Sequence, residues 1–167
     1  MAKQAKTLDD LFHETLKDIY YAEKKILTAL PKMAKAAQSG ELRAAFEKHE
    51  RETEGQVGRL EKVFALIEQP AKGKRCDAIE GLIEEGKEII KEFKGSPALD
   101  AGLLAGAQAV EHYEISRYGT LKAWAEELGF DDAAELLQET TLGEEEATDE
   151  ALTEIAKSAI NQQAEAA

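Results

Sequence analysis

Acidic side chains occupy positions where the surrounding pattern calls for apolar ones. Glu23, Glu52, the pair Glu111 and Glu114, and Glu145 with Asp149 fall on the apolar faces of four long helical segments, and His49 precedes Glu52 by one turn. An unpaired carboxylate inside a bundle costs on the order of several kcal/mol, so an interior that collects this many needs a strong counter-charge. A pair of metal ions would supply it. Oxygen donors favour iron or manganese over a thiolate-seeking metal, and a chain with one cysteine, Cys76, offers no set for structural zinc or an iron–sulfur cluster.

Each residue has a plainer reading when taken alone. Glu23 or Glu145 would then be a boundary residue with its carboxylate reaching water, and His49 a core imidazole bonded to a neighbour. Four coincident interruptions reverse that preference. Thr53 and Gln56 can hold carboxylates by hydrogen bonds, Tyr113 and Tyr118 read as packing or redox neighbours, and Tyr20 as packing. His13 reads as a surface residue, and His112 as facing a crossover helix or a second subunit. Glu80 and Glu84 are weaker candidates for an extended site. Of the run Glu144 to Glu146, only Glu145 has the inward phase. Cys76 follows Lys74 and Arg75 at a helix start, where a thiol pKa can fall, but a lone cysteine reads as inert.

The elements that must position these groups follow from the apolar periodicity. Leu8, Leu11, Phe12, Leu16, Ile19, Ile26, Leu30 and Met33 recur at three- and four-residue steps, with Glu23 between Ile19 and Ile26. The second stripe runs Leu42, Ala45, Phe46, Leu60, Val63 and Ile67, and its middle holds His49, Glu52, Thr53 and Gln56. The third passes Leu103, Leu104, Ala107 and Val110, meets Glu111, Glu114 and Tyr118, and resumes at Leu121, Ala125 and Leu128. The fourth sets Glu145, Thr148 and Asp149 between Leu136, Leu137 and Leu142 on one side and Leu152, Ile155 and Ala159 on the other. Every stripe breaks near its middle.

Punctuation turns these stripes into a topology. Thr7 and Asp10 form a capping box, Pro31 should bend the first helix, and Ser39-Gly40 closes it. Pro70 and the basic loop Ala71 to Arg75 end the second helix. A shorter amphipathic helix carries Ile79, Leu82, Ile83, Ile89, Ile90 and Phe93. Ser96-Pro97 opens the third bundle helix, Gly129-Phe130 ends it, and Asp131 or Asp132 opens the fourth. The expectation is a single domain over 1–167 with helices at about 7–38, 41–68, 76–94, 97–128 and 131–162. Two tight hairpins joined by a long connection with its own helix make an all-α, ferritin-like four-helix bundle.

Composition excludes several classes of function. A net charge of −13 on 167 residues disfavours nucleic-acid binding, and no apolar run reaches the length of a membrane span. The start, Met1 to Lys6, leads into an amphipathic segment rather than a signal core, and one cysteine fits a reducing compartment, so cytoplasm is the expected location.

Tyr21-Ala22-Glu23-Lys24, His49 to Gln56 (HERETEGQ), Glu80 to Glu85, Val110 to Tyr118 (VEHYEISRY) with Gly119-Thr120-Leu121, and Glu145 to Asp149 closely resemble the bacterial YciF/YciE family over nearly the whole chain. The resemblance implies a ferritin-like metal-binding protein with a rubrerythrin-related fold, a dinuclear iron or manganese site, a homodimer and a part in the bacterial stress response. It implies no substrate. The chain departs from the usual ferritin-like ligand pattern, one Glu from two helices and Glu-x-x-His from the other two: His49-x-x-Glu52 reverses the order, and Asp149 stands near a place where histidine is expected. One-turn spacing still lets each pair face one interior. Two main readings follow, a di-metal protein that reacts with oxygen or peroxide and a non-enzymatic or structural stress protein whose site stabilises a dimer. A third, a bundle whose polar interior is only hydrogen-bonded, ranks last. The greasy face of the crossover helix, with Ile79, Ile83, Ile90 and Phe93, would bury against a second copy.

Overall fold

Thr7 starts the first helix as the spacing requires: Asp10 N–H donates to Thr7 Oγ1 and Thr7 N–H to Asp10 Oδ2, at 3.3 and 2.9 Å. The computed structural model describes residues 5–166. Met1 to Gln4, Ala167 and the side chains of residues 140–142 lie outside the described residues, and with them the inward assignment of Leu142. Helix α1 spans Leu8–Ala36, α2 Gly40–Leu66, α3 Asp77–Glu92 and α4 Leu99–Glu127. The last bundle helix is composite. Helix α5 (Asp131–Gln138) passes into a π-helical stretch, Glu139–Glu145, followed by α6 (Glu146–Ile155), a second π-helical stretch, Ala156–Ile160, and α7 (Asn161–Glu165).

Helix α1 continues through Pro31 without interruption, and the expected N-cap and first residue of the third bundle helix shift. Ser96 and Pro97 form a turn in which Ala98 N–H donates to Ser96 Oγ, and α4 begins two residues after the proline. Helix α2 ends on Glu68 at φ 54°, with Gln69 N–H bonded to Phe64 O and Glu68 N–H to Ala65 O. The same double closure is made around Gly129 at φ 75°, from Phe130 N–H to Ala125 O and Gly129 N–H to Glu126 O. Phe130 then packs its ring 5.7 Å from that of Phe12, the apolar contact that accompanies such an end.

A buried acid that the stripes do not reveal ties the helices together. Asp100, on α4, accepts from the backbone N–H groups of Gln38 and Ser39 at 2.8 and 2.7 Å, so it caps the α1–α2 turn from a third helix. Arg43 satisfies the other side of that turn through the carbonyls of Ala34 and Ala37. Helix α3 crosses against α1 and α4. At Gly102 a Cβ would lie 2.7 Å from Ile89 Cγ2, so α3 and α4 approach as closely as a missing side chain permits.

The apolar core lies above and below a polar middle. Buried residues run Phe12, Leu16, Ile19, then Glu23, then Ile26 and Leu30 along α1, and Leu42, Phe46, then His49, Thr53, Gln56, then Leu60 and Val63 along α2. Helix α4 repeats this with Leu103, Leu104, Ala107, then Glu111, Glu114, Tyr118, then Leu121 and Ala125. Leu11, expected on the inward stripe, is 49% exposed because it flanks Phe12 on the outer side of the first turns. His13, expected at the surface, is half-buried edge-on against Phe64, with ring centroids 6.2 Å apart. The architecture is an all-α, ferritin-like four-helix bundle whose two hairpins are joined across α3.

Candidate metal centre

One-turn spacing on α4 turns Glu111 and Glu114 to the same interior, where each is at most 1% exposed. His49 reaches it from α2. Its backbone carbonyl accepts from Thr53 Oγ1 at 2.8 Å, which buries that hydroxyl without using the imidazole. Glu145 arrives from the end of the first π-helical stretch. An i→i+5 segment adds a residue relative to an α-helix and so rotates everything beyond it by about 100°, which sets the phase of Glu145 and Thr148. One ligand atom from each of His49, Glu111, Glu114 and Glu145 lies within 4.8 Å of the others.

Glu23 adjoins this group from α1. It is fully buried, and its Oε1 accepts a hydrogen bond from the hydroxyl of Tyr118, itself fully buried one turn beyond Glu114. Gln56 Nε2 donates to Glu145 Oε1 and to Glu144 Oε2, and Arg59 forms an ion pair with Glu144. Thus Glu144, expected on a solvated face, is half-buried and pins the Glu145 segment to α2. Gln56, Arg59 and the helix turn between them brace one ligand candidate, a role for Arg59 that its charge alone did not disclose.

The donor set is under-satisfied. With the carboxyls ionised, both nitrogens of His49, both oxygens of Glu114, and Oε2 of Glu23, Glu111 and Glu145 are buried with no hydrogen-bond partner among the described residues; protonated, Glu111 bonds with Glu145 and Glu114 with Glu23. His49 Nε2 lies 3.2 Å from Glu111 Oε1, a distance that would make an ion pair if the ring were charged. Burial instead pushes the imidazole pKa down to about 4, so the ring is neutral and the two groups meet without a bond aligned between them. Burial and the neighbouring acids hold the carboxyls protonated: Glu145 is pushed up to about 7, Glu23 to about 8 and Glu111 to about 11. Glu111 and Glu145 share a hydrogen bond that holds the proton on Glu111 and offsets part of the rise at Glu145. Burial, followed by the charges of Glu23, Glu145 and Glu111, also raises Glu114 well above the carboxylate range. Oxygen and imidazole donors with orphaned lone pairs around one point fit a hard or borderline divalent ion.

The structure brings Glu23, His49, Glu111, Glu114 and Glu145 to the bundle centre and sets the two other sequence candidates beside it. Glu52 is half-buried, with Oε1 bonded to Lys48 and Oε2 buried and unpartnered among the described residues. Asp149 accepts from Gln108 Nε2 at 3.0 Å and lies 3.3 Å from Nε2 of the exposed His112. That contact sets the exposed His112 on the α6 side rather than against the crossover helix, one of the two surroundings expected for it. Glu80 and Glu84 bind Lys25 and Lys87 at the surface of α3. Cys76 is buried with Sγ 3.0 Å from the Tyr113 hydroxyl, and burial raises its pKa rather than lowering it.

The family described as a domain of unknown function, DUF892, matches residues 7–165 of this sequence. Protein YciF of Escherichia coli (strain K12) is 48% identical over 162 residues, 96% of each chain. The chain belongs to the DUF892 family. Its DUF892 bundle superposes on the crystal structure of the E. coli stress protein YciF with a TM-score of 0.89, at 45% identity, over 94% of this chain and 99% of that one. YcfI from Rhodopseudomonas palustris, provisionally described as a structural protein, matches with a TM-score of 0.86 at 46% identity, over 92% and 97% of the two chains. The resemblance read from the motifs therefore extends to sequence and fold alike. Among the described residues no helix is long and apolar enough to cross a membrane.

Proposed function

We propose that this chain is a di-metal protein of the bacterial stress response that binds iron or manganese at the bundle centre and reacts there with oxygen or peroxide. The observation that carries this reading is the convergence of His49, Glu111, Glu114 and Glu145 within 4.8 Å, with buried and unpartnered donor atoms. Glu23 completes the set, and Glu52, through its buried Oε2, is the sixth donor. Asp149 acts from outside by adding negative charge beside Glu111. When bound, the ions would supply the electrons with which the oxidant is reduced.

The chain's own residues prepare the site for that exchange. His49 offers a neutral nitrogen at neutral pH and releases no proton on ligation, whereas Glu23, Glu111 and Glu114 each give up a proton and Glu145, pushed up to about 7, is already partly ionised. Tyr118 and Gln56 aim Glu23 and Glu145 by hydrogen bonds to one oxygen and leave the other free. The apolar layers on either side exclude water, which strengthens every charge interaction inside. A cytoplasmic homodimer belongs to the same reading, and a single cysteine, Cys76, suits a reducing compartment.

The test is elemental analysis after anaerobic loading with Fe(II) or Mn(II). A pair of ions per chain, lost in Glu52→Ala/Glu111→Ala while the helical signal remains, is the expected result. Folded wild-type protein that retains no stoichiometric metal would overturn the assignment. The description of YcfI favours a second reading, a structural stress protein in which the site only stabilises a dimer. Loaded protein that gains thermal stability but consumes neither oxygen nor peroxide would support that reading over the first.

A further inference from the structure

A cavity of about 210 Å³ lies between the crossover helix and the bundle, and its lining includes Glu111. Its walls are apolar: Ile26 and Leu30 from α1, Ile83 and Ile90 from α3, and Ala107 and Val110 from α4. Two glycines widen it. A Cβ at Gly86 on α3 or at Gly106 on α4 would meet nothing within 4 Å, so both helices forgo side chains where their interiors carry a stability cost for glycine and where the space is open. Glu111 is 1% exposed, and its Oε2 has no partner among the described residues. The cavity therefore sets Glu111 in the wall of a largely apolar chamber that opens to solvent on its lysine-lined side.

Three lysines line the cavity on a chain of net charge −13: Lys25 is paired with Glu80 at 3.0 Å and Lys87 with Glu84 at 2.8 Å, and Lys32 makes no ion pair among the described residues, so Lys32 is the cation free to meet an anionic head. A dry cavity of roughly 150 Å³ accepts benzene, so the volume here suits a single ring or a short branched chain. We infer that the cavity binds a small monocarboxylate with an aromatic or short aliphatic body, its anionic head at the lysine rim and its hydrocarbon end directed toward Glu111. The inference names a substrate class for the site assigned above and rests on that reading for what happens at Glu111, whereas occupancy of the cavity is independent of metal.

The probe is benzoate, titrated into metal-free protein by calorimetry and by amide chemical-shift mapping, with toluene as the neutral counterpart. Saturable binding with shifts confined to the α1, α3 and α4 walls is expected, at least tenfold tighter for benzoate than for toluene. Gly106→Leu, which fills the chamber, should weaken benzoate at least tenfold without altering metal stoichiometry, and Gly86→Leu does the same from the opposite wall should the first variant fold poorly. Lys32→Glu should remove the preference over toluene. Unsaturable binding, equal affinity for the two probes, or undiminished binding in a folded leucine variant would each overturn the inference. Benzoate binding in a protein that retains no metal would sustain the cavity while removing the di-metal reading, and metal loading without benzoate binding would do the reverse.

Discussion

Replacing Glu145 by glutamine should stabilise the metal-free protein at pH 8 and leave it nearly unchanged near pH 4.5. Glu145 is fully buried, and its carboxyl is pushed from 4.5 up to about 7, chiefly because burial penalises the charged form. Between those values the native chain keeps a proton that the unfolded chain has released. The stability carried by the protonated group is thus complete below 4.5 and is lost as pH rises through about 7. At about 1.4 kcal/mol per pH unit, Glu145 withdraws on the order of 3 kcal/mol from the metal-free fold by pH 8. The amide cannot ionise, and its carbonyl still accepts from Gln56 Nε2. His49 works in the opposite sense. Its pKa, pushed down to about 4, gives stability that is present above 6.5 and lost as pH falls, so the variant is compared with wild type at each pH, where that contribution cancels. The assay is urea and thermal unfolding in chelator at pH 4.5 and pH 8. A gain of 3 kcal/mol corresponds to a rise in Tm of roughly 6–12 °C for a chain of this size. A variant no more stable than wild type at pH 8, or equally more stable at both pH values, would refute the reasoning.

Three further outcomes follow from individual contacts. Tyr118→Phe removes the hydroxyl that orients Glu23 and should lower metal affinity by about 10–100-fold in a chelator competition, with helicity unchanged; undiminished affinity would exclude Tyr118 from positioning that ligand. Asp100→Ala leaves the N–H groups of Gln38 and Ser39 without their buried acceptor and should cost about 3 kcal/mol in urea unfolding, while metal stoichiometry stays as in wild type. Gly102→Ala drives a methyl into Ile89 Cγ2 and should cost about 1–3 kcal/mol, most of it recovered in Gly102→Ala/Ile89→Ala; a silent single variant would show that α3 yields freely.

What the sequence discloses and what it conceals divide along the range of the interaction. The interrupted stripes are periodic within a helix, so Glu23, Glu111, Glu114 and Glu145 can be placed inward from spacing alone, and the Thr7 box and Gly129 end are written in adjacent residues. Asp100 caps a turn some sixty positions away, and Arg59 meets Glu144 across two helices; neither partnership has a local signature. Glu68 ends α2 in a conformation that glycine usually supplies, so no glycine marks the place. The π-helical stretches are equally silent, because an added residue shifts the phase without changing composition, although Thr140, Thr141 and Gly143 make that segment a poor α-helix former. His13 and Leu11 are displaced from expectation for a simpler reason. At the end of a helix the width of the buried face depends on the neighbouring helix, here through Phe64 and Phe130.

The charge balance at the bundle centre restricts what the cluster can be. Four buried acids meet there, yet among the described residues no lysine or arginine is buried. Tyr118 and Gln56, which hold two of them, are neutral donors, and the half-buried Arg59, paired with Glu144, opposes only part of the rise at Glu23. A purely structural polar core would be expected to bring a cation among its carboxylates, since an uncompensated buried charge is costly and removing one partner of a buried pair is severely destabilising. Beyond the part that Arg59 supplies at Glu23, the compensating charge comes from protons or from bound cations. The raised carboxyl pKa values describe the protonated limit, in which folding is satisfied and every donor is masked. The neutral His49 ring distinguishes the other limit. An imidazole held unprotonated, its Nε2 3.2 Å from Glu111 Oε1 and both nitrogens buried, carries a lone pair that is available to an electrophile at neutral pH. Carboxyls alone could serve as a proton store; a neutral imidazole set among them is the feature that favours the proposed metal site over that alternative.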